Sequence, residues 1–170
     1  RRDDVTAFVE GWALYAERLG AEMGIYRTRE ERVNQLSMEM WRACRLVMDV
    51  GIHWKHWSAE QAAACLKDNT ALSPGSVAGE TQRYISWPGQ ALAYKIGEIR
   101  IRKIRSEAEQ ALGARFDIRE FHDALIGSGP MPLDLLELLG GVLVLALLVQ
   151  QEDALVVEFL GGLVGRKLLL

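Results

Sequence analysis

The sequence predicts an all-α protein, a helical bundle, and three observations carry that prediction. Two capping boxes, Thr28-Arg29-Glu30-Glu31 and Ser58-Ala59-Glu60-Gln61, mark helix starts, and Asp117 to Glu120 marks a third. Phe8, Trp12, Tyr15 and Leu19 recur at helical spacing. Finally, no stretch of useful length alternates apolar and polar residues as a strand would.

The elements follow in order. A first helix is expected from about Asp4 to Leu19, ending near Gly20 and Gly24. The Thr28 capping box opens a long helix that should end at Gly51. A short helix after Ser58 should close near Asp68-Asn69. Ser73-Pro74-Gly75 reads as a loop that starts the next helix. Trp87-Pro88-Gly89 should interrupt the chain, because proline removes a backbone donor and restrains its predecessor. A helix is then expected from about Gln90 to Leu112, and one after Asp117 that closes at Gly127-Ser128-Gly129-Pro130. From Leu138 the chain changes character: two apolar runs flank Gln150-Gln151-Glu152-Asp153. Neither reaches the roughly 18 residues of a spanning helix, so a buried two-helix hairpin is expected in preference to a membrane anchor. The expected organisation is residues 1–137 as one helical part and 138–170 as an apolar tail.

Composition removes some function classes. The chain has 170 residues, enough for one domain with a core, and is 49% hydrophobic. A net charge of -3 argues against a nucleic-acid partner. Arg100, Arg102, Lys103 and Arg105 alternate with Ile99, Ile101 and Ile104, the pattern of an amphipathic helix with a solvated cationic face. Cys44 and Cys65 sit among apolar neighbours, as reduced, buried cysteines do. The compartment, cytoplasm or periplasm, stays open.

One acidic residue stands out. Glu10 leaves the first helix beside the Phe8–Trp12 stripe, and a carboxylate placed there needs a partner. A metal ion or an arginine would serve. Downstream, Asp49 and His53 lie four residues apart, and such a pair can fix an imidazole's tautomer. A histidine interacting with the helix dipole is the alternative. Arg83 can hold a carboxylate bidentately or pair with Glu80 one turn earlier. Tyr84 and Tyr94 are candidate hydroxyl donors or packed core tyrosines. Trp87-Pro88-Gly89-Gln90 would shape a cleft by breaking the helix beside the tyrosine. His122 reads as structural, and His56, flanked by Trp54 and Trp57, as a surface residue on an aromatic shelf.

Four ordered segments carry a resemblance: Phe8 to Glu17, Arg42 to His53, Glu80 to Gly97, and Phe116 to Asp123. Together they resemble the C-terminal part of the bacterial family catalogued as domain of unknown function 885, over roughly residues 3 to 137. Its members look like helical zinc metallopeptidases of the gluzincin type. The resemblance implies that Glu10 is the third protein ligand of a catalytic zinc, the first two being histidines of an upstream HExxH helix. No such helix is present, and the chain opens Arg1-Arg2-Asp3, so it reads as a fragment. A catalytic zinc takes three protein ligands and activates a water. The fragment alone is therefore expected neither to hold zinc nor to cleave peptides. The Arg83-Tyr84 pair resembles one in the angiotensin-converting class of gluzincins, where the tyrosine donates to the tetrahedral intermediate. By that resemblance Tyr84, or Tyr94, and His53 would stabilise the oxyanion, while Arg83 and Gln90 would bind the peptide. A non-catalytic helical scaffold that keeps the family's packing motifs is the alternative.

Overall fold

The computed structural model describes residues 5–149. Among them are seven α-helices, two short 3-10 turns and no strand, so the predicted fold class holds. The helices are α1 (Thr6–Glu22), α2 (Arg29–His53), α3 (Ala59–Asn69), α4 (Pro74–Ser86), α5 (Ala93–Leu112), α6 (Ile118–Gly127) and α7 (Leu133–Val149). The chain divides into two compact units, Arg1–Ile101 and Arg102–Leu170, with the division inside α5.

In the first unit the polar punctuation does what its chemistry dictates. Thr28 and Ser58 each accept from the backbone N–H three residues on, and Glu31 and Gln61 return the bond. Both capping boxes are complete. Ser73 caps α4 with Pro74 at its first position, where the missing N–H costs nothing. Two glycines expected at helix ends are not ends. α1 runs through Gly20, where the Tyr26 ring lies against the missing side chain, and the chain turns at Gly24 with φ +70°. α2 runs through Gly51 to His53, because the Trp57 ring occupies the space a Cβ would need. Glycine here admits an aromatic ring, not a turn.

The core of this unit comes from α2, α3 and α4. Met48, Leu66, Val77 and Tyr84 meet there with Cys44, Ala62, Ala63 and Ala91. Cys44 and Cys65 are joined in a disulfide with their Cα atoms 5.6 Å apart. This corrects the reduced reading. The α2–α3 turn folds the two helices against each other and brings together cysteines 21 residues apart, which sequence spacing alone does not reveal.

The second unit buries Ile104, Ala108, Leu112, Phe121, Leu125 and Leu136. Lys103 pairs with Glu107 and Glu137, and Arg105 pairs with Glu109; Arg102 and Lys103 are exposed, while Arg100 and Arg105 are half-buried. α7 begins at Leu133 and contains the first apolar run of the tail. The second run, with the hairpin it was to complete, lies outside the described residues. Among the described residues, no helix is long and apolar enough to cross a membrane.

Candidate functional site

Glu10 lies on α1, one residue before a close helix crossing. A Cβ on Gly97 of α5 would collide with the Ala7 carbonyl oxygen and with Gly11. Two glycines thus let α1 and α5 approach backbone to backbone. The contact sets Glu10 opposite the turn between α4 and α5. A pocket of about 590 Å³ opens there, lined by Thr6, Ala7, Glu10, the Trp87–Gln90 turn, Leu92, Ala93 and Ile96. Glu10 is half-buried and makes no ion pair or hydrogen bond among the described residues. Among the described residues no arginine pairs with it.

The turn is held from beneath. Gly89 sits at φ +83°, a conformation glycine adopts without strain, and its N–H donates to both carboxylate oxygens of buried Asp49 at 3.0 and 3.2 Å. Asp49 is therefore occupied with the turn. His53 turns to α4 instead: its Nε2 lies 2.8 Å from the Tyr84 carbonyl oxygen. A carbonyl only accepts, so Nε2 carries the proton and Nδ1 is the ring's remaining polar atom.

Gln90 is the joint between the turn and a cluster beneath it. Its Oε1 accepts from Arg45 Nη2 at 2.8 Å and from Arg83 Nη2 at 3.4 Å, and its Nε2 donates to the Tyr94 hydroxyl at 3.3 Å. Arg45 is only 4% exposed and has no carboxylate within ion-pair distance among the described residues. Its guanidinium lies over the Tyr94 ring at 4.1 Å and the Tyr84 ring at 5.3 Å, so aromatic faces stand in for an anion. Arg83, more exposed, also pairs with Glu80 at 3.4 Å. Two guanidinium groups share one neutral amide oxygen.

The two tyrosines differ. Tyr84 is buried in the core; its hydroxyl accepts from Trp41 Nε1 at 3.0 Å and donates to Glu80 Oε2 at 2.6 Å. Burial and the Glu80 hydrogen bond push its phenol well above the ordinary range. Tyr94 is half-buried and accepts from Gln90, and its own proton is uncommitted among the described residues. Of the residues singled out from sequence, Arg83, Gln90 and Tyr94 come together around Arg45. Glu10 joins them through the pocket that Gln90 lines, and His53 meets Tyr84 only at its backbone. Arg45 and Trp41 escape a reading of the sequence. The available signal was an arginine whose helical neighbours, Cys44 and Met48, are core residues. Among the described residues, no three His, Cys, Asp or Glu side chains gather as a metal site would require.

A glycine-pinned helix pair thus sets a half-buried carboxylate across a pocket from a guanidinium-bound amide, within an all-helical unit. Residues 1–139 match the bacterial proteins of unknown function DUF885, and the chain belongs to that family. A crystal structure from Colwellia psychrerythraea, of a protein provisionally described as a lipoprotein, matches at 38% identity and a TM-score of 0.78. It covers 82% of this chain and 24% of that one. A Shewanella oneidensis protein, also provisionally a lipoprotein and of unknown function, matches at 29% identity and a TM-score of 0.73, covering 78% and 24%. The chain thus spans about a quarter of the length of each. No curated protein matches it.

Proposed function

We propose that this chain is the C-terminal helical part of a zinc-dependent, metallopeptidase-like hydrolase, with Glu10 as one ligand of the metal. One observation carries the reading: Glu10 is a half-buried carboxylate without a partner among the described residues, held at a pocket by the Gly11–Gly97 crossing. The described residues do not themselves fit a catalytic zinc, which needs three protein ligands where Glu10 supplies one. The other ligands would come from parts of the longer protein, and the activity is a proposal about that whole.

The remaining roles concern this chain's own side chains. Tyr94, with its uncommitted hydroxyl proton, is better placed than Tyr84 to donate to a developing oxyanion. His53 donates its Nε2 proton to a carbonyl, so it supports the α4 end. Arg83, the more exposed of the two guanidinium groups on the Gln90 oxygen, suits a peptide carboxylate, with buried Arg45 behind it. The Cys44–Cys65 disulfide supports an oxidising compartment, and the description of both solved neighbours as lipoproteins agrees with it. The scaffold reading draws on Tyr84, whose hydroxyl is consumed inside the core.

The test uses the full-length protein. Metal analysis and peptide digests read by mass spectrometry are compared for the parent and Glu10→Ala. The expected outcome is zinc in the parent, with zinc and cleavage both lost in the variant. Full zinc content in Glu10→Ala, or a parent that holds no zinc, would overturn the reading and leave the scaffold.

A further inference from the structure

The outer face of α2 carries apolar residues that the described fold leaves uncovered. Val33, Leu36, Met40, Ala43, Val47, Val50 and Trp54 follow one another at alternating steps of three and four residues. Val33, Leu36, Met40, Val47 and Val50 are each between 37% and 58% exposed, and Trp54 at the C-cap is 80% exposed. On a helix, such steps place all seven positions in one straight seam. The rest of α2 is already occupied: Cys44 and Met48, beside the seam, lie in the core, and Arg45 and Asp49, further round, hold the turn. α2 therefore has two apolar faces, and only one of them is covered among the described residues.

We propose that this seam is an internal packing surface, covered in the longer protein by a helix from the rest of the same polypeptide. Two features select that occupant. The alternating three-and-four spacing is the pattern that receives side chains of another helix, where a flat or scattered apolar patch would not specify one. In addition, about three-quarters of each solved relative lies outside the matched region, so the family's longer chains hold ample material to cover it. An apolar row of this length left in water would be an association hazard. The proposal is independent of the zinc reading, since no seam residue lines the Glu10 pocket.

Hydroxyl-radical footprinting of the full-length native protein tests it, with side-chain oxidation read by mass spectrometry. Met48, fully buried in the core, is the internal reference, and Met23, 68% exposed, is the accessible one. Met40 is expected to oxidise about tenfold more slowly than its 43% exposure here would give, close to Met48. The protection should not change with protein concentration while light scattering reports a monomer. Met40 labelling as fast as Met23 would overturn the proposal. So would protection that appears only as a dimer forms, because a second copy would then be the cover. The Met40→Leu variant, with labelling then read at Leu36, controls for sulfur chemistry and is expected to leave the protection intact.

Discussion

Tyr84 accepts a hydrogen bond from the Trp41 indole at 3.0 Å and donates its own to Glu80 at 2.6 Å. This chain of bonds ties α2 to α4 across the core of the first unit. Tyr84→Phe leaves a core N–H without an acceptor and Glu80 with only its longer contact to Arg83. The expected loss is about 1–3 kcal/mol of stability, because orphaned polar groups cost more than a bond gains. Denaturant titration checks it, and an unchanged midpoint would show that water replaces the hydroxyl.

Gly97 is the tightest backbone contact near the site. Gly97→Ala would drive a methyl group into the Ala7 carbonyl and Gly11, and backbone cannot move aside as a flexible side chain can. A stability loss of about 1–3 kcal/mol is expected from overpacking. α1 should shift as well, carrying Glu10 away from the Trp87–Gln90 turn. Gly127→Ala, where a Cβ meets nothing, is the control and should be close to neutral. Equal effects at both positions would sink the crossing argument.

The disulfide gives a third expectation. Joining cysteines 21 residues apart restricts the unfolded chain, and a loop of that size is worth about 3 kcal/mol. The Cys44→Ala, Cys65→Ala double variant should lose about that much in thermal denaturation. Mass spectrometry of unreduced digests should find the two peptides linked. Two free thiols in protein matured in an oxidising compartment would contradict the pairing.

These residues show where sequence reading succeeds. Caps are local chemistry, so Thr28, Ser58 and Asp117 can be placed from three or four residues each, and the helical fold follows. Gly20 and Gly51 look like ends in the sequence because their role depends on rings arriving from Tyr26 and Trp57, which helical periodicity does not report. The disulfide is hidden for the same reason: it depends on how α2 meets α3. At the candidate site, Glu10 is legible because a lone acid beside an aromatic stripe is chemically odd. Arg45 is not, because arginine on a helix is ordinary until its burial between two tyrosines is known.

Acid should weaken the α2–α5 tie. Lys95 lies 3.0 Å from Glu39 and 3.1 Å from buried Glu98, while Arg18 approaches Glu39 at 3.8 Å. Burial pushes the Glu39 carboxyl up, but the hydrogen bond and charge of Lys95, with Gln35 and Arg18, outweigh it and hold the group below its usual range. A depressed folded value means the contribution is complete above the unfolded carboxylate range, about pH 4.3 for glutamate, and is lost as pH falls through the lower folded value. The melting temperature should therefore fall on acidification below about pH 5, and Glu39→Gln should flatten that dependence. A variant as acid-sensitive as the parent would assign the loss to other carboxylates.

The two tyrosines separate structure from chemistry in the full-length protein. The Arg45 guanidinium lies over the rings of both Tyr94 and Tyr84, so losing either hydroxyl leaves that stacking in place. What differs is where each proton goes: Tyr84 commits its own to Glu80, while Tyr94 keeps its own among the described residues. On the proposed function, Tyr94→Phe should leave zinc content and melting temperature near the parent's and lower kcat by roughly a hundredfold to a thousandfold, the range for losing one oxyanion donor. Tyr84→Phe should do the reverse, lowering the melting temperature while any remaining folded enzyme turns over at close to the parent rate. Zinc analysis, thermal denaturation and peptide cleavage on both variants read the two effects separately. A Tyr94→Phe enzyme with unchanged kcat would return the donor role to Tyr84 or His53.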